Sequence, residues 1–228
     1  MARTVKAREH AAKRNQILDA AQTLVVTRGY GKIAVRDITT AIGISSGAFH
    51  HYFASREALL DALIQRMQEQ AESPLQSILR DKELLAPEKL RRLFAALERQ
   101  RTEQKTFLSG LAPVWYADDN AVVRRKVENA MGDRRAPLLA GIVRQGIRER
   151  SFATGYPEQM GRVIVSLMLG QGDSMARLLL SAAPAQEIVA TYNVFMESVE
   201  RALGARPFLD RLEAQTVKKW FAKSKMGR

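Results

Sequence analysis

The 228-residue sequence predicts an all-α protein with a small N-terminal domain and a larger helical domain. Apolar residues recur at helical spacing almost throughout the chain, and no strand-like alternation persists. Glycine, serine and proline interrupt this pattern where helices would end and begin. The most regular part is the segment 17–60, which predicts three short helices and the start of a fourth, with a glycine turn between the second and third.

Composition restricts the chemistry that is open to the chain. It contains no cysteine, so disulfides, cysteine nucleophiles and thiolate metal sites are excluded. Hydrophobic residues make up 46% and charged residues 26%, which is typical of a globular protein. The charged first 15 residues are followed by no apolar secretion segment. We therefore expect a cytoplasmic protein that does not bind a membrane.

The net charge of +12 is concentrated at the two ends of the chain. Residues 1–56 carry a net +6 and residues 206–228 a net +5, whereas residues 57–205 carry a net +1. Concentrated positive charge is typical of a surface that binds a polyanion, because each neutralised phosphate releases condensed counterions. Basic termini are also often only solvated, so charge alone leaves both interpretations open.

The N-terminal helices are delimited by residues of known capping chemistry. The first has an apolar face over residues 17–25. The second ends at Gly43, a residue that can adopt the left-handed conformation of a helix terminus. Ser45 or Ser46 would cap the third helix, and Ser55 would cap the fourth.

The larger domain is predicted to be helical as well. A break at Ser73-Pro74 ends the fourth helix. Later helices are predicted from Pro87, from Asp118 to about Arg150 with a kink at Pro137, from Met160 to Leu180, from Pro184 to Leu203, and from Pro207 to about Lys223.

The spacing around Gly43 predicts a helix-turn-helix. This motif needs apolar side chains between its two helices and a glycine where the turn takes positive φ. Five apolar residues occupy the required positions: Ile38, Ile42, Ile44, Phe49 and Tyr52. Thr39 stands at the tight crossing point, where a smaller residue is expected. A helix placed after such a turn can bring its N-terminal side chains to base edges in a DNA major groove.

From Arg14 to Leu60 the sequence resembles the DNA-binding domain of the TetR/AcrR family of bacterial transcriptional regulators. The resemblance is carried by ILDAA, RGY, VRDIT, GISSGAFHHYF and SREALL, in this order and without a gap. Thr39, Ser46 and His50 depart from the residues usual in the family, which are alanine, lysine and tyrosine. The last two positions face DNA, so these departures concern the operator sequence rather than the fold.

The resemblance implies a domain organisation and a function. Residues 1–56 would form the helix-turn-helix DNA-binding domain, residues 57–205 a helical ligand-binding and dimerisation domain, and residues 206–228 a basic helical C-terminal extension. We expect a sequence-specific regulator, most often a repressor among relatives, that binds a palindromic operator in double-stranded DNA as a homodimer. A small hydrophobic effector would release it. No enzymatic activity, catalytic residue, cofactor or metal is expected.

The resemblance also assigns residues to DNA. They are Arg36, Ser46, Gly47, Ala48, His50, His51, Tyr52, Arg56, Lys13 and Arg14. Gly47 would let the backbone approach DNA closely, and the histidines could donate or accept at base edges. Arg36 would read guanine or remain a solvated charge, and Tyr52 and Arg56 would contact phosphate, with Tyr52 also a candidate core residue. Lys13 and Arg14 would hold the DNA backbone or enter the minor groove, as basic arms do.

Aromatic and methionine residues of the larger domain are candidates for an apolar effector pocket. They are Phe107, Trp115, Tyr116, Met131 and Met168. Such residues also fill ordinary helical cores, and the sequence leaves both interpretations open.

The segment from Met160 to Leu180 mixes small with aliphatic residues, which permits close helix approach across a two-fold axis. With the following helix it is predicted to form a dimer interface through Val163, Leu167, Gly170, Ser174, Leu178, Tyr192, Phe195 and Val199. The alternative is that both helices belong to an internal core.

Two other functional classes stay open. A nonspecific architectural protein would bind DNA with strong salt dependence and ignore its sequence. An all-α enzyme would need grouped catalytic residues, but Asp118 and Asp119 are better interpreted as a helix cap, and the adjacent His50 and His51 diverge on a helix with no third ligand evident. The C-terminal extension could pack on the body, add DNA affinity or lie on an anionic membrane.

Overall fold

The computed structural model describes residues 2–103 and 115–222, and within them it confirms an all-helical protein without β-strands. The α-helices are α1 Ala2–Arg28, α2 Val35–Ala41, α3 Ser46–His50, α4 Arg56–Glu72, α5 Gln76–Arg80, α6 Ala86–Glu103, α7 Ala121–Arg148, α8 Pro157–Leu180, α9 Ala185–Ala202 and α10 Ala214–Ala222. Short 3₁₀ helices occur at Tyr30–Lys32, Ser73–Leu75 and Asp118–Asn120.

Local chemistry accounts for the ends of the N-terminal helices. The Ser45 hydroxyl accepts the backbone N–H of Ala48 at 3.1 Å, which identifies the first of the two candidate serines as the cap of α3. The Ser55 hydroxyl accepts from Ala58 at 3.1 Å, as predicted for α4. Gly43 lies in the turn after α2 with φ of +65°, a conformation that side chains with a Cβ rarely adopt.

The chain divides into two compact units. Unit 1 contains the described parts of Met1–Ser73 and Thr106–Ala130, and unit 2 those of Pro74–Lys105 and Met131–Arg228. Helix α7 contributes its first ten residues to unit 1 and the remainder to unit 2. The functional boundaries expected after residues 56 and 205 stay predictions, because compactness does not test which residues suffice for DNA binding.

Unit 1 has an apolar core formed mainly by α1 to α4. Its buried side chains are Ile17, Leu18, Ala21, Ile33, Ile38, Phe49, Phe53, Leu59 and Leu63. The rings of Phe49 and Phe53 lie 5.8 Å apart, as expected for two core residues one helical turn apart. Thr39 is buried at the helix crossing, and its hydroxyl donates to the Arg36 carbonyl at 3.0 Å. This bond satisfies the extra polar group, so threonine is tolerated where a smaller residue is usual.

Unit 2 has a larger core to which α6, α7, α8 and α9 contribute. Its most enclosed side chains include Leu90, Val143, Ile164, Ile188, Met196, Val199 and Leu203. Gly161 is required where α8 meets α7, because a Cβ there would lie 2.3 Å from the carbonyl oxygen of Ala136. Helix α8 is also long and apolar enough to cross a membrane, a test that core helices of soluble proteins pass as well.

The C-terminal extension packs on unit 2 around a buried carboxylate. The side chain of Glu200 is 3% exposed and accepts the N–H groups of Phe208 and Leu209, each at 2.7 Å, together with the guanidinium of Arg211. Burial raises the pKa of Glu200, but these hydrogen bonds outweigh burial and leave the pKa below its ordinary value. The sequence predicted a helix over residues 207–223. In the structure residues 207–213 are not helical, and α10 begins only at Ala214.

Candidate nucleic-acid interface

Helix α3 presents a polar face to solvent. Ser46, Gly47, His50 and His51 are exposed, whereas Phe49 on the opposite side is fully buried in the core of unit 1. Ala48 is half-buried. The apolar side therefore packs against the core, and the residues predicted to contact DNA bases are accessible to a ligand.

The folded structure does not require glycine at position 47. A Cβ built at this position would have the Ser45 hydroxyl as its nearest described neighbour, at an ordinary contact distance of 3.9 Å. The space next to the Gly47 Cα is thus unoccupied on the exposed side of α3, and a polyanion could contact the backbone there without an intervening side chain. Arg36 is exposed as well, in the first turn of α2.

The basic residues before the core are helical rather than extended. Helix α1 begins at Ala2, so Lys13 and Arg14 lie within it, and their predicted contacts with the DNA backbone or the minor groove stay predictions. Lys13 donates through Nζ to Oε1 of Gln16 at 2.9 Å. The guanidinium of Arg14 lies 4.9 Å from the ring centroid of Phe53, a cation–π contact.

Tyr52 combines a core position with a surface position. It is half-buried against the core of unit 1, and its ring centroid lies 4.7 Å from that of His10 and 6.2 Å from that of His51. Sequence reasoning considered Tyr52 both as a core residue and as a phosphate contact. It did not associate Tyr52 with His10, which lies 42 positions earlier, so no local pattern joins the two.

Arg56 is engaged inside unit 1. Its guanidinium donates to the carbonyl oxygen of Tyr30 and lies 3.9 Å from the centroid of that ring. This arrangement engages Nη2 of Arg56 at Tyr30 within unit 1, and the predicted phosphate contact of Arg56 stays a prediction. The partner lies 26 residues earlier in the chain, outside the reach of helical spacing.

Sequence reasoning missed a polar junction around Tyr30. The backbone N–H of Tyr30 donates to Oδ1 of the buried Asn120 at 2.8 Å, and burial raises the pKa of the Tyr30 hydroxyl. Nearby, Nζ of Lys126 lies 2.8 Å from Oδ1 of Asp61, and this hydrogen bond raises the pKa of Lys126. The 3₁₀ helix Asp118–Asn120 and the start of α7 are therefore fixed to the rest of unit 1.

The candidate effector residues fall into different places. Phe107 lies outside the described residues. Trp115 is half-buried in a small apolar cluster of unit 1, and the guanidinium of Arg124 lies 5.5 Å from the ring centroid of Tyr116. Met131 is half-buried and Met168 lies in the core, both in unit 2. A common effector pocket for these residues stays a prediction.

One cavity in the described part of unit 1 is far smaller than such a pocket. A cavity of about 10 Å³ lies among Tyr30, Ile38, Arg56 and their apolar neighbours. This volume accommodates at most one water molecule.

The candidate dimer residues divide by exposure. Val163 and Gly170 of α8 are exposed, and Leu167, Ser174 and Leu178 are half-buried. In contrast, Tyr192, Phe195 and Val199 are 6%, 8% and 0% exposed. They pack in the core of their own protomer, so the interface prediction is corrected for these three. The exposed side of α9 carries Ala190, Val194, Glu197 and Arg201.

Comparison with known proteins identifies the family. Residues 17–63 match the family model described as bacterial regulatory proteins, tetR family, and these residues run from the C-terminal part of α1 into the first half of α4. Residues 17–63 therefore form a tetR-family domain. No group of three or more histidine or carboxylate side chains that could hold a metal ion occurs within the part of this family member that the structure describes.

Relatives of this tetR-family chain are similar mainly in the N-terminal region. The HTH-type transcriptional repressor KstR2 of Rhodococcus jostii is 41% identical over 54 residues, which cover 24% of this chain and about a quarter (26%) of that protein's own length. KstR2 of Mycolicibacterium smegmatis is 27% identical over 197 residues, covering 73% of this chain and 96% of that protein.

A solved TetR-family transcriptional regulator from Pectobacterium atrosepticum shares the fold, with a TM-score of 0.57 at 16% identity. The match covers 90% of this chain and 98% of that chain. The likeness thus extends over the described parts of both units, at an identity that carries the fold alone.

Proposed function

We propose that this chain is a sequence-specific, DNA-binding transcriptional repressor that acts in the cytoplasm without a cofactor. The observation that carries the proposal is α3, a capped helix with a buried apolar side and an exposed side formed by Ser46, Gly47 and His50, with the exposed His51 directly after it. It follows a glycine turn within the segment that matches the tetR family. Relatives named as repressors support the same direction of control.

The reading residues follow from this exposure. Ser46, His50 and His51 meet base edges in the major groove, Gly47 admits the DNA backbone, and Arg36 reaches guanine from the start of α2. Tyr52 contacts a phosphate. Lys13 and Arg14 contribute positive charge from a helix, so they meet backbone phosphates rather than entering the minor groove as an extended arm.

We place a homodimer interface on the exposed sides of α8 and α9. On α8 the exposed side carries Val163 and Gly170, with Ser174 partly accessible, and on α9 it carries Ala190 and Val194. Val194 is 60% exposed and Val163 is 42% exposed, so both aliphatic side chains are accessible to a second copy of the chain. A two-fold pair of such faces buries them and sets the distance between two α3 helices on a palindromic operator.

Effector control follows as a coupling between two states of the dimer. A small hydrophobic molecule that binds one arrangement of unit 2 more tightly shifts the population toward it, and operator affinity changes by the same coupling free energy. Helix α7 suits this role because its start is fixed in unit 1 by Lys126 and by Asn120, which directly precedes the helix. A ligand that binds tightly without altering operator affinity would contradict this part of the proposal.

The test is a gel-shift titration on the DNA upstream of the protein's own gene, at fixed salt and against scrambled competitor. We expect the natural sequence to be preferred by about 10³-fold or more, as for specific regulators. His50→Ala should remove most of this preference, whereas Gln70→Ala, at an exposed position of α4, should leave it intact. Binding that ignores sequence would indicate an architectural protein, and absence of binding would refute the proposal.

A further inference from the structure

The N-terminal half of α1 is a helix without a core of its own. Helix α1 begins at Ala2, yet among its side chains described from residue 7 onward the first buried one is Ile17, and residues 7–16 are exposed or half-buried. A helical segment of this length is marginal in water when nothing packs against it. Contacts with other parts of unit 1 must therefore stabilise it.

Two ring contacts supply this stabilisation. The His10 ring is tilted by 35° over the Tyr52 ring at 4.7 Å, and the Arg14 guanidinium lies 4.9 Å from the Phe53 centroid. His10 and Arg14 are four residues apart, so they share one face of α1. Tyr52 and Phe53 follow directly after α3. One face of α1 thus lies against the C-terminal end of the reading helix.

The contacts also restrict the Tyr52 side chain. Its ring has His10 on one side and the edge of His51 at 6.2 Å with an interplanar angle of 82°. The ring of a tyrosine at a helix end has several rotamers available when it is unsupported. A ring already held in its bound orientation loses less conformational freedom when its hydroxyl meets a phosphate.

We propose that His10 is a positioning residue for DNA binding, which acts by stacking on Tyr52 and presenting the Tyr52 hydroxyl to a phosphate. The N-terminal half of α1 then contributes to DNA binding through Tyr52, although His10 itself does not contact DNA. This inference rests on the proposed function, because the effect is measured on operator affinity.

Three variants separate stacking from direct contact, with operator affinity measured by fluorescence anisotropy on the full-length protein. His10→Ala should weaken binding by about three- to tenfold, the value of an aromatic pair. His10→Phe should retain affinity within about twofold, because a phenyl ring can still stack. Asn15→Ala, an exposed position of the same helix, should have no effect. If His10→Phe is as weak as His10→Ala, and the salt dependence falls by about one released counterion, the imidazole contacts phosphate directly and the proposal is wrong.

A double-mutant cycle then tests whether His10 acts through Tyr52. Tyr52→Phe removes the hydroxyl and keeps the ring, so His10→Ala should cause no further loss in that background, whereas additive losses overturn the proposal. Both variants should remain folded, with the thermal unfolding midpoint lowered by no more than about 2–4 °C, so that weaker binding cannot be attributed to unfolding. In the free protein, Tyr52→Leu should move the ring-proton resonances of His10, and unmoved resonances would show that the stack is absent. Wild-type protein that ignores the operator sequence would refute the proposed function itself, whereas specific wild-type binding with an unaffected His10→Ala variant would refute only this inference.

Discussion

The substitution Gly170→Leu is expected to act in opposite directions on the protomer and on the dimer. Gly170 lies on the exposed side of α8, and no described atom would come within 4 Å of a Cβ built there. The protomer therefore has room for a side chain at this position. The proposed dimer does not, because small residues on α8 are what permit close approach of a second copy.

The two effects differ in size as well as sign. Replacing glycine by leucine inside a helix is worth about 0.8–1 kcal/mol of added stability in the protomer. Forcing a larger side chain into a packed interface costs about 1–3 kcal/mol for each site. A two-fold axis brings both copies of residue 170 into the interface, so the dimer loses about 2–6 kcal/mol, which corresponds to roughly thirtyfold to twenty-thousandfold in the dissociation constant.

Sedimentation equilibrium measures the dimer constant, and thermal unfolding of dilute protein measures the protomer. Gly172→Leu is the matched control, because it makes the same change two residues further on α8, where a Cβ also meets no described atom within 4 Å. The two positions point about 200° apart around the helix. Gly170→Leu should also weaken binding to a full palindrome far more than binding to a half-site.

A Gly170→Leu protein that dimerises as tightly as wild type would refute the reasoning, since it would show that α8 does not approach a second copy at this position. Equal loss of dimer in Gly170→Leu and Gly172→Leu would also contradict it, because the effect would then follow helix chemistry and not the exposed side.

Three further expectations concern single residues. Glu200→Ala leaves the N–H groups of Phe208 and Leu209 without an acceptor and should lower the free energy of unfolding in urea by about 3–5 kcal/mol, against less than about 0.5 for the exposed Glu197→Ala. Because the folded-state pKa of Glu200 is lowered, this stabilisation is present at neutral pH and is lost as the pH falls through that pKa; a gap between wild type and Glu200→Ala that stays constant in acid would contradict the assignment. Gly47→Leu should be at least as stable as wild type but bind the operator at least about tenfold more weakly in anisotropy titrations, and unchanged affinity would show that DNA does not approach there. Gly43→Ala should lower the unfolding free energy by about 1–2 kcal/mol, because φ of +65° is strained for any residue with a Cβ, and a neutral result in urea would contradict this.

Features set by neighbouring residues could be predicted from the sequence. Ser55 caps α4 because its hydroxyl needs only a backbone N–H three residues later, and Gly43 marks a turn because its own φ requires glycine. Phe49 is buried because helical spacing puts it on the apolar side of α3. Each of these depends on chemistry within about one helical turn.

Features that depend on distant partners could not be predicted. Arg56 was predicted to contact phosphate, but its guanidinium donates to the carbonyl oxygen of Tyr30, a residue 26 positions earlier that helical spacing does not connect to it. The apolar spacing of Tyr192 and Phe195 correctly indicated burial, yet spacing cannot say whether a helix is covered by its own chain or by a second copy. Helix α1 extends far beyond its apolar pattern, because a pattern reports burial and not helicity.

The cluster formed by Leu60, Ile64 and Val123 determines how this protein can be divided. Leu60 and Ile64 belong to α4, but the residues that cover them, Val123 and Trp115, arrive some fifty positions later in the chain. A fragment ending near residue 73 would leave two leucine-sized side chains bare and Tyr30 without Asn120. The segment up to residue 73 therefore does not contain the complete core of unit 1. A chimera that joins unit 1 to a foreign regulatory domain should also include residues 115–130, which requires two junctions in the chain.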